Sequence, residues 1–120
     1  MNLAILGIRD PGDLQNERVV FEARDEVDLG DYLTSFAYET GDDTISDRMI
    51  SPLWFPTMKL NVGEKVVVYS RSGTRGKKEM NDGRAIYFLY RNKREALCVN
   101  ERMGVLLMKM SGWEFEMKRY

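Results

Sequence analysis

Apolar and polar positions alternate along much of this chain with a period of two, the pattern of strands that bury one face. Residues 2–9 form a first apolar run, and Asp10-Pro11-Gly12-Asp13 ends it as a turn. In residues 17–24, Val19, Phe21 and Ala23 share one face, while Arg18, Val20, Glu22 and Arg24 share the other. Residues 32–39 place Tyr32, Thr34, Phe36 and Tyr38 on one face, all β-formers. Leu53-Trp54-Phe55 reads as a short strand stopped by Pro56, which cannot donate to a ladder. The turn Asn61-Val62-Gly63-Glu64 then leads into residues 65–70, a continuous apolar run of a central strand. Residues 84–90 alternate again, with Ala85, Tyr87 and Leu89 against Ile86, Phe88 and Tyr90. Further strands are predicted at 95–99, 103–110 and 112–118, with polar loops at 40–50, 71–83 and 91–94. Trp54, Phe55, Val67, Tyr69, Ile86 and Phe88 are expected to have low solvent access.

No helical period and no repeat interrupts this pattern. About eight or nine short, mostly antiparallel strands with turns between them predict an all-β sandwich or small barrel. At 120 residues the chain is expected to be one domain, 1–120, able to bury a core without staples.

Charge changes the picture more than composition does. The net charge is −1, but residues 1–47 carry twelve acidic and three basic residues, and residues 48–120 carry fifteen basic and seven acidic. If successive strands run antiparallel, the basic loop 71–78 returns to the end carrying Asp10, Asp13, Asp42, Asp43 and Asp47. The same counting sends Arg91, Lys93 and Arg94 to the end carrying Asp25, Glu26, Asp28 and Asp31. Each end would then pair an acidic with a basic loop, at ~0–1 kcal/mol per exposed pair.

With these residues laid out, the chain resembles the lamin tail domain family. An apolar strand at Leu3 to Ile8 is followed by the loop Pro11 to Asn16 and a Glu-led strand at Glu17 to Ala23. Next come Val27-Asp28-Leu29-Gly30-Asp31-Tyr32, then Trp54-Phe55-Pro56, Leu60, Gly63-Glu64 and Val66-Val67-Val68-Tyr69. Asn81-Asp82-Gly83, Ala85 to Tyr90 and Glu95 to Val99 complete the similarity, which covers about 3–100 and leaves 101–120 as extra C-terminal strands. The resemblance implies an immunoglobulin-like β-sandwich and a non-catalytic binding module. It brings no catalytic residues.

The side-chain inventory points the same way. Histidine is absent, which removes Ser-His and Cys-His nucleophile pairs and the commonest metal ligand. A single cysteine, Cys98, allows no internal disulfide and, with no histidine, argues against a tetrahedral zinc site. It is expected as a buried, inert thiol in a strand. Gly73-Thr74-Arg75-Gly76-Lys77-Lys78 has glycines too close together for a nucleotide loop, and Glu79 stands where a magnesium-binding hydroxyl is needed. The five aspartates lack the Asp-x-Asp-x-Asp-Gly framework of a calcium loop. No enzyme, cofactor or metal is therefore expected.

The expected function is protein binding. The alternative is nucleic-acid binding through Arg71, Arg75, Lys77 and Lys78 with Arg91, Lys93 and Arg94, aided by the faces of Tyr87, Phe88 and Tyr90. Residues 112–118 alternate Trp113 and Phe115 with Glu114 and Glu116, an edge strand suited to forming a homodimer. Met103, Met108, Met110 and Met117 fit an adaptable contact there. Leu3 to Ile8 is too short for a secretory core, and no stretch reaches membrane-spanning length, so a cytoplasmic setting is the expectation.

Overall fold

The alternating runs become strands in the computed structural model, which describes residues 1–118. Eleven strands are present among them: β1 (Leu3–Arg9), β2 (Arg18–Ala23), β3 (Val27–Asp28), β4 (Tyr32–Gly41), β5 (Thr44–Ile45), β6 (Ile50–Trp54), β7 (Lys59–Leu60), β8 (Lys65–Tyr69), β9 (Gly76–Glu79), β10 (Ala85–Tyr90) and β11 (Met103–Lys109). One 3₁₀ turn, Leu29–Asp31, is capped by Asp28, whose Oδ1 accepts from the Gly30 and Met58 N–H groups. No helix among the described residues is long and apolar enough to cross a membrane.

The strands form a five-stranded sheet ordered β1-β2-β8-β10-β9 and a second sheet in which β4 lies between β11 and the pair β5 and β6. A small third sheet joins β3 to β7. Val19, Phe21, Val66, Val68 and Leu89 of the first sheet meet Tyr32, Phe36 and Leu107 of the second in one core. Phe55 enters it from the segment after β6 and packs edge-on against Phe21, centroids 5.4 Å apart. The architecture is an all-β sandwich, and no sheet closes into a barrel.

Alternation decides which expected aromatics are covered. On β8, Val66 and Val68 face the core, and Val67 and Tyr69 point outward. On β10, Tyr87 and Leu89 face inward, and Ile86, Phe88 and Tyr90 face outward. Phe55 and Val67 are buried as expected, whereas Tyr69, Ile86 and Phe88 are only half-buried. Trp54 differs most: it is 45% exposed, because it stands opposite Leu33 on the outer face of the second sheet.

Four segments differ from expectation. The loop 40–50 contains β5, which pairs antiparallel with the end of β4. The loop 71–83 contains β9, which pairs antiparallel with β10 through the turn Asn81-Asp82-Gly83. Residues 95–99 are not a strand, and residues 112–118 are not one either. The extra strand β9 makes β10 run parallel to β8, Phe88 opposite Val67 and Tyr90 opposite Tyr69. All the other pairings are antiparallel.

Candidate interaction surfaces

Two buried glutamates tie the sheet ends together, and both stand one residue before an apolar strand. Asn16-Glu17-Arg18-Val19-Val20 and Gly63-Glu64-Lys65-Val66-Val67 share the same local order: turn residue, Glu, cation, two valines. Glu64 accepts from the Asn61 N–H (2.9 Å) and the Ala85 N–H (2.7 Å), locking the 61–64 turn to the start of β10. Gly63 holds φ at +82°, and a Cβ there would meet the Arg84 guanidinium at 2.9 Å.

Glu17 does more. Its Oε1 accepts from Gly12 (2.9 Å) and Cys98 (2.8 Å), and its Oε2 accepts from Leu97 (2.9 Å) and the Ser70 hydroxyl. One fully buried carboxylate therefore joins the 10–16 loop, the end of β8 and the 95–99 segment. This accounts for the absence of a strand at its middle: the Leu97 and Cys98 N–H groups are satisfied by a side chain and not by a ladder. Burial pushes the Glu17 pKa up, but the Ser70 hydroxyl and the Gly12, Leu97 and Cys98 N–H groups outweigh it and hold the carboxyl below its ordinary range. Burial, then the Glu17 charge, pushes the Cys98 thiol up, consistent with its 8% exposure.

The seven expected cations do not form one patch. Because β10 runs parallel to β8, residues 91–94 return to the end of Arg71, not to the end of Asp25 and Asp28. Lys93 N–H donates to Ser70 O (2.9 Å), and Asn92 N–H to Arg71 O (3.3 Å). Arg71 lies over both rings of the stacked Tyr69–Tyr90 pair, at 4.7 and 5.2 Å, and its Nε donates to Gln15 O at 3.0 Å. Arg91 turns inward instead, donating to Ser51 O and lying 5.1 Å over Phe36. Burial pulls its guanidinium down to about 10, which the Glu17 carboxylate opposes. Arg75 contacts the Met58 sulfur (3.7 Å), Lys77 pairs with Glu79 (3.4 Å) and lies over Tyr87, and Lys78 stands opposite Ile86 at the sheet edge. Lys93 and Arg94 are exposed. Of the stacking candidates, Phe88 and Tyr90 face outward and Tyr87 packs on the core.

The aspartates likewise do not converge. Asp10 pairs with Arg18 (2.9 Å), and Asp13 caps its own loop through Gln15 and Asn16. Among the described residues no group of three or more His, Cys, Asp or Glu is placed to hold a metal ion.

The surface that the sequence did not single out is the outer face of the second sheet. Leu33 of β4, Leu106 and Met108 of β11, and Trp54 of β6 share it by register, whereas Ala37 on the same side of β4 is buried. Ile45 and Met49 border a groove against Leu106 and Met108. Trp113 packs edge-on against Trp54, centroids 5.0 Å apart, and Trp54 Nε1 donates to Gly30 O (2.7 Å). Trp113 and Phe115 are thus exposed residues of a tail, not of an edge strand, at 65% and 75%. The alternation of Leu33, Ser35 and Ala37 opposite the core face of β4 was the available signal. Compared with family models, curated proteins and solved structures, the chain matches none.

Proposed function

We propose that this chain is a non-catalytic module that binds another protein through the outer face of its second sheet. The observation that carries this is the contiguous exposed apolar surface of Trp54, Met108, Ile45 and Met49, extended by Trp113. Exposed apolar patches of this kind mark interaction sites, while single exposed apolar residues do not. The opposite face of the molecule offers less. There, Tyr69 and Tyr90 are covered by Arg71, and Glu22 engages Arg24 and Lys65.

The non-catalytic reading is supported by the two buried carboxylates. Glu17 and Glu64 are each occupied by backbone donors, an arrangement that holds chain segments rather than presenting an acid or base to a substrate. The ordered run of strands and turns through Trp54-Phe55-Pro56 supports the proposed immunoglobulin-like arrangement related to lamin tail domains.

The test is comparative capture. The intact chain and an Ile45→Glu, Met108→Glu variant are immobilised and exposed to extract of the source cells. The wild-type chain is expected to retain a protein that the variant loses, with the two thermal midpoints equal within about 2 °C. Equal capture by both would overturn the assignment of this face.

A further inference from the structure

We propose that a second copy of this chain docks antiparallel along the free edge of β11, about a two-fold axis through Val105, joining the two second sheets into one. This goes beyond the reading above: it is a second contact, made by the sheet edge and not by the outer face. Among the described residues, β11 is the one sheet edge without a guard. β1 carries a bulge between Ile5 and Gly7. β9 is Gly76-Lys77-Lys78-Glu79, exposed throughout. The far edge of the second sheet is broken into β5, two residues long, and β6, which contains Pro52 and has Ser51 at φ +52°. Bulges, charges, prolines and short strands are the devices that stop edge pairing. β11 instead runs seven residues in unbroken register with β4, and its one charge, Lys109, lies at its end.

The backbone of β11 is oriented for such a partner. Arg102 O, Leu106 O and Met110 N all bond toward β4 or its approach, accepting from Glu39 N and Thr34 Oγ1 and donating to Asp31 O. Even-numbered residues therefore turn their amides to β4, and Val105 and Leu107 turn theirs away, while Met103 N–H, at the start of the strand, donates to Asn100 O (3.0 Å). After β11, Trp113 leads the chain across to Trp54 on the other side of β4.

Two further observations favour a second copy over another chain. An antiparallel register centred on Val105 brings the turn just before β11 in one copy, which carries Glu101, to the strand end of the other that carries Lys109, twice, so the ends complement in charge. The same register sets Gly104 opposite Leu106. Gly104 lies inside a strand, its φ is not positive, and a Cβ there would meet nothing within 4 Å. Its own fold does not require glycine, and a strand-interior glycine weakens the strand. Close approach of a second backbone and of the second copy's Leu106 supplies the reason.

Sedimentation equilibrium on the intact 120-residue chain, across the micromolar range, tests this. A concentration-dependent dimer is expected. Gly104→Val should raise the thermal midpoint, because valine suits a strand, yet weaken the dimer at least about tenfold. Glu101→Lys and Lys109→Glu should each weaken it about tenfold, and the double reversal should restore it. Val105→Pro, which removes an N–H that does not bond β4, should abolish it. If that variant fails to fold, the charge reversals decide. A wild-type monomer at every concentration overturns the proposal, as does a dimer that Gly104→Val leaves intact or that depends only on residues 112–118. Capture through Ile45 and Met108 is read separately, so loss of the dimer with capture retained rejects this interface and not the binding role.

Discussion

Removing the Glu17 carboxylate would orphan four donors at once: the N–H groups of Gly12, Leu97 and Cys98, and the Ser70 hydroxyl. Donors left unsatisfied in the interior cost more than their hydrogen bonds contribute when made. Glu17→Ala is therefore expected to lower unfolding free energy by about 3–5 kcal/mol, measured by urea titration. The pH dependence has a definite sign. The folded pKa lies below the ordinary value of 4.5, so the native state favours the charged form. The stability this gives is complete above that value and is lost as pH falls through the lower, folded pKa. The wild-type urea midpoint should drop across that acid window, and Glu17→Gln, which cannot titrate, should drop less. Parallel pH curves for the two proteins would refute this role.

The strands divide by what holds them. β8 lies between β2 and β10 and is covered on both faces: Val66 and Val68 sit in the core, and Val67, on the outer face, is 8% exposed. Val68→Ala is expected to cost about 2–3 kcal/mol, from lost burial plus a cavity, and Val67→Ala about 1 kcal/mol, because its outer site can relax. Urea midpoints that reverse this order would mean the faces are misassigned. Elements held by alternating apolar faces, β1, β2, β4, β8, β10 and β11, were legible in the sequence. Elements held by something else were not. β9 has no apolar signal, since Gly76-Lys77-Lys78-Glu79 is a strand only because the Asn81-Asp82-Gly83 turn returns β10 beside it. Ala96-Leu97-Cys98-Val99 reads as a strand, but its ladder partner is a carboxylate eighty residues earlier in the case of Leu97. Trp113 and Phe115 alternate with glutamates, yet the indole–indole contact with Trp54 decides their course. The outer apolar face was half legible: Met108 was marked as an adaptable contact, but only the register of β4 with β11 and β6 brings it beside Leu33 and Trp54.

At the scale of the molecule, one missed strand redistributes the charge. With β9 inserted, Arg71 and residues 91–94 share an end with Asp10 and Asp13, while Lys77 and Lys78 lie along an outer sheet edge. The acidic first part of the chain and the basic remainder interleave in one sheet, because β2 pairs with β8. A polyanion needs several cations along one path, and its salt dependence counts them at about 0.7 per phosphate contact for single strands. Here Arg91 is turned inward, Arg71 is held over two tyrosines, Arg75 lies against the Met58 sulfur and Lys77 is paired with Glu79, which leaves Lys78 apart from Lys93 and Arg94. No more than about two can meet one strand together, so a fluorescent single-stranded oligonucleotide should bind weakly at low salt, with a log–log slope no steeper than about −1.4. Arg71→Ala should change that slope little, since its guanidinium already faces aromatic rings. A slope steeper than about −3 that Arg71→Ala and Lys78→Ala both flatten would mean these cations act together on one strand. It would make nucleic acid, and not the apolar outer face, the basis of binding.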